Sequence, residues 1–249
     1  MLIINADDWG RTEAETDAAA ACLTRGRVTS TTAMVFMSDS VRAAAIALER
    51  GLDVGLHLNL IEPFSDTGAA SAIQDSLRRV GRFLGTHKLA QLVYNPVLKA
   101  DFQALYRAQV EEFQRLYGRL PSHVDGHHHL HLCMNMLVDQ VIERGMKVRR
   151  SFYFWPDEKG WLNRAYRYAV DRALARHHPL ADYFFALPHC VEPRRMERVI
   201  EVARSATVEL MTHPANPEER AFLLGDAFER GFGTLPLGSF AAVRAWTER

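Results

Sequence analysis

The sequence of 249 residues contains few cysteines, no excess charge of either sign and no long apolar run. Its three cysteines, Cys22, Cys133 and Cys190, include no CxxC pair, which argues against a disulfide framework or structural zinc site. Thirty basic residues balance thirty acidic ones, so the charge indicates neither a nucleic-acid partner nor an acidic membrane surface. The first residues lack the basic region of a secretory signal. We therefore predict a cytoplasmic protein without a membrane span.

The order of apolar patterns along the chain predicts a parallel α/β fold. Short β-rich runs alternate with longer helical patterns, which implies parallel strands joined by right-handed crossovers. Thr12 and Glu15 have capping-box spacing at the start of the first helix, and Gly26 and Gly51 are predicted helix stops. Strands are predicted at 2–5, 29–36, 53–60, 123–125, 147–150, 182–187 and 207–211, and the principal helices at 12–26, 38–50, 97–118, 135–145, 193–204 and 217–230.

No Gly-, Ser- or Pro-rich linker divides the chain, and it contains no repeat of fixed period. We therefore predict one domain over residues 1–249, folded as a (β/α) barrel that is either complete or incomplete and distorted. An aromatic and helical insertion is expected at about 151–181. A doubly wound open sheet is the alternative, although "NADDWG" stands where its glycine-rich nucleotide loop would follow the first strand.

Chemically reactive side chains follow several predicted strands at the point where each strand ends. The first strand runs into Asp7 and Asp8, the third contains His57, and the strand "TVELM" precedes His213. The stretch "HVDGHHHLHL" (123–132) holds five of the eleven histidines. Because the carboxyl ends of parallel strands lie on one side of a sheet, we expect these side chains to meet there.

Two adjacent aspartates at the end of an apolar strand need a partner for their charge. Mutual repulsion and desolvation raise one pKa unless a cation or proton intervenes. A divalent ion would bind one carboxylate and leave the other free as a general base. Alternatively, Asp7 or Asp8 caps the next helix or turns the chain at "DWG".

The histidines are open to more than one interpretation. His57 lies opposite the leucine face of its strand, which favours a function, although a lone histidine on an apolar strand is usually a core residue. The cluster in 123–132 could be a solvated loop that starts a helix. A catalytic metal site keeps a coordination position open, so these imidazoles cannot all be ligands. His127 directly follows the turn at Asp125-Gly126 and is the best candidate.

Two histidines and one carboxylate suit a mononuclear hydrolytic site. The metal would polarise a carbonyl and lower the pKa of its bound water, to about 7 for zinc. His213, at another strand end, could protonate the leaving group, although "THP" is also an ordinary turn.

Five stretches occur between residues 2 and 214, namely LIINADDWG, GRVTSTTAMV, VGLHLNL, GRLPSHVDGHHHLH and VELMTHP. This ordered set resembles the YdjC-like (ChbG-like) carbohydrate deacetylases, which are metal-dependent enzymes with a (β/α) barrel-like fold of the glycoside hydrolase/deacetylase type. The combination is specific, whereas each piece alone is not. The family usually has Phe in place of Trp9 and often Gly after the final His-Pro, where this chain continues as "HPANPEE".

The resemblance implies a role for each of the central residues. Asp8, His57 and His127 would bind the metal, Asp7 would be the general base and His213 the general acid. Arg149 would orient Asp7 or the substrate, with a surface arginine as the alternative. Support or substrate contact is expected of Asp125, His129, His131 and, on the motif alone, His123.

The predicted activity is metal-dependent removal of the N-acetyl group from an amino sugar, oligosaccharide or glycoconjugate, with release of acetate. Zinc fits the ligand set better, whereas the resemblance also suggests magnesium. The alternatives are hydrolysis of another amide or ester bond and a non-catalytic metal- or sugar-binding barrel. A homodimer is compatible with the resemblance. In the aromatic segment, Trp155 and Trp161 either line a saccharide subsite or serve packing and oligomer contacts.

Overall fold

A parallel sheet organises the residues that this computed structural model describes, 1–66, 68–87 and 89–243. Within them the sheet has seven strands, β1 (Leu2–Trp9), β2 (Ser30–Ala33), β3 (Val54–Leu58), β4 (Val124–Gly126), β5 (Tyr183–Ala186), β6 (Val208–Thr212) and β7 (Leu237–Gly238). The connecting helices are α1 (Glu13–Thr24), α2 (Ser40–Arg50), α3 (Ser71–Leu84), α4 (Lys99–Tyr117), α5 (Met134–Val138), α6 (Trp161–Leu174), α7 (Leu187–Cys190), α8 (Pro193–Ser205), α9 (Pro217–Leu224) and α10 (Asp226–Phe232).

Strand β1 lies at the centre of the sheet, whose order is β4-β3-β2-β1-β6-β5. One side of β1 pairs with β6 from Leu2 to Ala6. The other side of β1 is shared between two strands. Leu2 and Ile3 pair with β7, and the pairing with β2 begins at Asn5. All eight residues of β1 are buried, as expected for a central strand of a parallel sheet that is covered on both faces.

An irregular segment connects the two edge strands and gives the curled sheet its barrel-like form. In this segment the Val124 N–H donates to the Lys147 carbonyl at 2.8 Å, and the Arg149 N–H donates to the Val124 carbonyl at 3.0 Å. A few residues later, the Tyr153 N–H donates to the Phe184 carbonyl of β5 at 3.0 Å. The barrel-like α/β prediction is therefore confirmed in its incomplete form.

The strand predicted at 147–150 is reduced to a single bridge, between Val148 and Val124. This segment passes from the edge of β4 to the edge of β5 within a few residues, so it cannot stay in register with either strand. The prediction of a regular strand there was wrong, although the chain does occupy the place of one.

The helix predicted at 135–145 is also wrong in length, because α5 ends at Val138. Gln140 adopts a positive φ of 47°, and Gly145 has φ 84°. The Gly145 N–H donates to the His177 carbonyl at 2.8 Å, a long-range bond that replaces a helical one. Tertiary contacts override the helical pattern here.

Two further local expectations need correction. The helix predicted at 217–230 is broken at Gly225, whose backbone is extended and separates α9 from α10. At the start of α1, Thr12 occupies the N-cap position, but its side chain makes no bond to a backbone N–H. Its hydroxyl contacts the Glu15 carboxylate instead. No helix in the described part of the chain has the length and apolarity to cross a membrane.

The structure places His123, for which a support or substrate role was expected, in the packed interior. Its ring stacks on Phe240 at 3.5 Å between centroids, and its side chain is fully buried. A Cβ atom added at Gly55 would lie 2.5 Å from the His123 ring. Glycine at position 55 therefore allows β3 and the residue before β4 to approach closely.

Candidate functional site

Three side chains from distant parts of the sequence converge at the carboxyl ends of the strands. Asp8 Oδ1 lies 3.4 Å from His57 Nε2 and 3.1 Å from His127 Nδ1. One nitrogen or oxygen from each residue lies within 4.8 Å of the others, and all three side chains are buried. The structure thus brings together the three residues predicted as metal ligands.

A backbone irregularity allows both aspartates of β1 to face one cleft. Successive side chains of a regular strand point to opposite faces. The β1–β2 register shifts between Ala6 and Trp9, which places one extra residue in β1. Asp8 in this bulge has a positive φ of 64°. As a result, Asp7 and Asp8 line the same cavity of about 610 Å³.

Asp125 fixes the orientation of His57. The two residues are direct partners in the β3–β4 register, and His57 Nδ1 lies 2.7 Å from Asp125 Oδ1. This contact leaves His57 Nε2 facing Asp8. Burial alone would lower the pKa of His57, but the Asp125 carboxylate raises it to about 9, so the surrounding acids favour a positive charge at this point. Asp125 therefore lies on the side of His57 that faces away from Asp8.

Glu62 fixes the orientation of the His127 ring, as Asp125 fixes that of the His57 ring. Its Oε2 lies 3.2 Å from His127 Nε2, which leaves His127 Nδ1 facing Asp8. Arg11 Nε donates to Glu62 at 3.0 Å and helps to hold the carboxylate in place. Sequence reasoning missed Glu62, although its position four residues beyond the end of β3 was an available signal.

The donor set fits a divalent cation. Asp8 Oδ1 is buried without a hydrogen-bond partner in the described structure, and two imidazole nitrogens face it. The other nitrogen of each ring contacts a carboxylate, which is the usual outer arrangement of histidine ligands in metal sites. Two nitrogens and one oxygen suit zinc better than magnesium, which prefers oxygen ligands.

Asp7 is held by a buried arginine. Arg149 Nη1 and Nη2 each lie 2.7 Å from a different oxygen of Asp7, and Asn5 Nδ2 donates to Oδ1 at 2.9 Å. Burial alone would raise the pKa of Asp7, but the guanidinium lowers it well below its usual range. Arg149 is fully buried, so the alternative of a surface arginine was wrong.

Arg149 also connects the site to two more acids. Its Nη1 lies 2.6 Å from Asp125, and its Nε donates to Glu209 of β6 at 2.6 Å. His131 Nε2 lies 3.0 Å from the Arg149 carbonyl and supports the same segment. Burial raises the pKa of Glu209 to about 7. Sequence reasoning missed Glu209, because a single glutamate in "TVELM" fits the exposed face of a strand equally well.

His213 lies at a more open part of the cleft, where 38% of its side chain is exposed. Its Nδ1 lies 3.8 Å from Glu219 Oε1, and its backbone N–H donates to Glu219 Oε2 at 2.9 Å. Burial alone would lower the pKa of His213, but the Glu219 carboxylate and Asp7 raise it. The surrounding acids therefore favour the protonated form of this imidazole.

The remaining histidines of the cluster form a tight turn. His128 and His129 have positive φ angles of 54° and 58°, and both line the cleft. The His129 ring contacts Phe152 edge-on at 4.6 Å between centroids. His129 thus lies at the cleft, whereas His131 is fully buried.

The fold and the site together define a barrel-like α/β protein with a candidate metal centre at the carboxyl ends of its strands. The chain belongs to the YdjC-like protein family, whose model matches residues 1–234. This membership confirms the resemblance drawn from the sequence motifs.

Named relatives and a solved structure extend this comparison. The carbohydrate deacetylase of Homo sapiens is 30% identical over 244 residues, covering 87% of this chain and 75% of that protein. The chitooligosaccharide deacetylase of Serratia marcescens is 32% identical over 133 residues, 53% of this chain and 51% of that protein. The crystal structure of a proposed cellobiose-phosphate cleavage protein from Enterococcus faecalis V583 superposes with a TM-score of 0.67 at 17% identity, covering 97% of each chain. That likeness supports the fold alone.

Proposed function

We propose that this protein is a metal-dependent carbohydrate deacetylase that removes the N-acetyl group from an amino sugar, oligosaccharide or glycoconjugate. Relatives named carbohydrate deacetylase and chitooligosaccharide deacetylase support the substrate class. The observation that carries the proposal is that the two adjacent aspartates have different partners. Asp8 faces two imidazole nitrogens, whereas Asp7 is held by Arg149 in the same cleft.

Asp8, His57 and His127 would hold one divalent ion, with zinc favoured by the donor set. When bound, such an ion supplies Lewis acidity for the acetamido carbonyl and for a water molecule. Asp125 and Glu62 hold the outer nitrogens of the two imidazoles and thereby orient the inner ones.

Asp7 would act as the general base. Arg149 keeps its carboxylate ionised and fixes its plane, yet a carboxylate offers about four lone-pair sites and can still accept a proton from water. The water oxygen attacks the acetyl carbon, and the C–N bond then breaks. His213 protonates the departing amine, so that acetate and a free amino sugar leave the site.

The test is acetate release from a panel of N-acetylglucosamine oligosaccharides. Asp7→Asn keeps the shape but removes the base, and we expect the rate to fall by about 10²-fold or more. Asp75→Asn, at a surface ion pair with Arg78, is the matched control and should retain the wild-type rate. Full activity in Asp7→Asn would contradict the assignment of the base. Hydrolysis of other amides or esters without acetate release would replace the proposed reaction.

A further inference from the structure

Helix α6 exposes large aromatic side chains at the surface. In the part of the chain that the structure describes, the exposed phenylalanine, tyrosine and tryptophan side chains are Trp161, Tyr166 and Tyr168, all of them on α6. Trp161 is 70% exposed, and Leu162 beside it is 66% exposed. Four large apolar side chains on about two helical turns form a patch of the kind that marks an interaction surface.

The outer face of α6 changes from apolar to cationic along the helix. Trp161, Ala165, Tyr168 and Arg172 follow one another at positions i, i+4, i+7 and i+11, which places them on one side of the helix. All four are exposed, and so is Arg176 just beyond the helix end. Apolar and cationic side chains thus share the face that α6 presents to its surroundings.

The charge near this face is positive, although the charge of the whole chain is balanced. Residues 159–176 contain five basic residues and one acid, Asp171. Asp171 is buried and lies 2.7 Å from Arg150 Nη2, so its charge is neutralised inside the protein. Among the residues that the structure describes, no carboxylate forms an ion pair with Arg172 or Arg176. These two exposed cations are therefore open to an anionic surface.

A second exposed apolar stretch lies next to α6. Leu89 and Val97 are both exposed, and so is Leu92 between them. Leu92 and Tyr166 line one groove of about 310 Å³, so the two stretches are neighbours on the surface. Together they make an apolar area wider than a single helix face.

We propose that this face of the protein docks on a phospholipid membrane of negative charge, with α6 lying along the membrane surface. Tryptophan and tyrosine suit the boundary between lipid and water, because each combines an apolar ring with a polar edge. Arg172 and Arg176 contact lipid phosphates, which arginine binds through paired hydrogen bonds. The docking surface does not depend on the reaction proposed for the cleft.

Charge argues against a second copy of this chain as the occupant of the face. In a two-fold dimer the same patch of each subunit meets its copy. The cations of both α6 helices would then lie within one interface, and the exposed face of α6 as described contains no acid to neutralise them. An anionic lipid surface supplies this opposite charge.

Co-sedimentation with lipid vesicles tests the proposal. The wild-type protein is mixed with vesicles of phosphatidylcholine alone or of phosphatidylcholine with phosphatidylglycerol. We expect a partition coefficient about tenfold higher for the vesicles that contain phosphatidylglycerol, because arginines near an anionic surface strengthen binding. Added salt should weaken the binding, because it screens the charges. Absent binding, or equal binding to the two kinds of vesicle, would overturn the proposal.

Removal of the two cations tests their contribution. Arg172→Gln/Arg176→Gln should lower the partition coefficient for anionic vesicles by about tenfold. Arg25→Gln/Arg50→Gln is the matched control, because it removes the same charge from exposed positions at the ends of α1 and α2, and it should change the partition coefficient little. An equal loss in both double variants would show attraction by net charge alone and would refute this docking face.

Removal of the apolar side chains tests insertion into the lipid. Trp161→Ala/Leu162→Ala should also lower the partition coefficient for anionic vesicles by about tenfold. The control Val41→Ala/Leu48→Ala shortens two exposed apolar side chains of α2 and should have little effect. If Trp161→Ala/Leu162→Ala binds as the wild type does, the apolar face does not enter the membrane and the proposal fails.

The fluorescence of Trp161 reports on its surroundings directly. On addition of anionic vesicles the emission of the wild-type protein should shift to shorter wavelength, and Trp161→Phe should reduce this shift while it retains most of the binding. Sedimentation velocity tests the other occupant. Self-association that Trp161→Ala/Leu162→Ala abolishes, in a protein that does not bind vesicles, would make this face a protein–protein interface and overturn the proposal.

Discussion

Replacing Arg149 by methionine would remove the cation that three buried carboxylates share. Its nitrogens lie 2.7 Å from Asp7, 2.6 Å from Asp125 and 2.6 Å from Glu209, and none of the four side chains is more than marginally exposed. Removing one partner of a buried ion pair typically costs about 3–5 kcal/mol. We expect a loss of that order in the free energy of unfolding at pH 7, because proton uptake by the acids limits the cost.

The pH dependence of this loss tests the electrostatic cause. Burial alone would raise the pKa of Asp7 and Asp125, but Arg149 lowers both below 3.8. Carboxyls with lowered pKa stabilise the folded state above pH 3.8, and this stabilisation disappears as the pH falls through the folded-state values. In Arg149→Met the same carboxyls have raised pKa values and take up protons sooner. The difference in the free energy of unfolding between wild type and variant should therefore be smaller at pH 5 than at pH 7.

Urea unfolding followed by tryptophan fluorescence and circular dichroism measures both quantities. Arg115→Met, which removes an exposed pair with Glu112, is the control and should change the unfolding curve little. A loss below about 1 kcal/mol for Arg149→Met at pH 7, against the 3–5 kcal/mol of a broken buried pair, would refute the reasoning. An equal loss at pH 7 and pH 5 would show that packing, and not charge, is responsible.

Three other changes probe the candidate centre. Glu62→Gln should weaken binding of a divalent ion by about 10–100-fold, because His127 loses its charged partner; competition with a zinc chelator measures this. Glu219→Gln should move the alkaline limb of the pH–rate profile to lower pH. The proposed acid His213 loses its proton as the pH rises, and Glu219 raises the pKa of His213. An unmoved limb would contradict the role of His213 as the acid. Asp8→Gly should unfold at a higher temperature than Asp8→Ala, because the φ of 64° costs alanine about 1 kcal/mol. Thermal melts of the two variants measure the difference.

The convergence at the centre could be predicted because it follows from topology. Asp8 and His127 lie just beyond the ends of predicted strands and His57 lies within one, and parallel strands gather their carboxyl ends on one side. The same reasoning needed no knowledge of the distances between them in the sequence. Glycine helix stops were similarly local, and Gly51 ends α2 in the left-handed conformation as expected.

The charge partners could not be predicted in the same way. Glu209 and Arg149 lie in segments whose patterns fit an exposed position as well as a buried one. Their burial becomes favourable only because each neutralises the other, and that pairing joins positions 60 residues apart. Glu62 is likewise defined by its approach to His127 across the cleft. Local patterns carry no information about such long-range compensation.

Backbone strain connects these observations. Of the non-glycine residues described with positive φ, three line the candidate cleft, namely Asp8, His128 and His129. Such conformations persist only where the surrounding structure determines them, and they concentrate at functional sites. At Asp8 the strain has a specific consequence, because the bulge orients two adjacent carboxylates toward the same cleft. The different surroundings of Asp7 and Asp8 follow from this bulge. The Asp7 carboxylate contacts Arg149, whereas the Asp8 carboxylate contacts the imidazoles. The assignment of base and ligand thus depends on backbone geometry, because the two side chains are chemically identical.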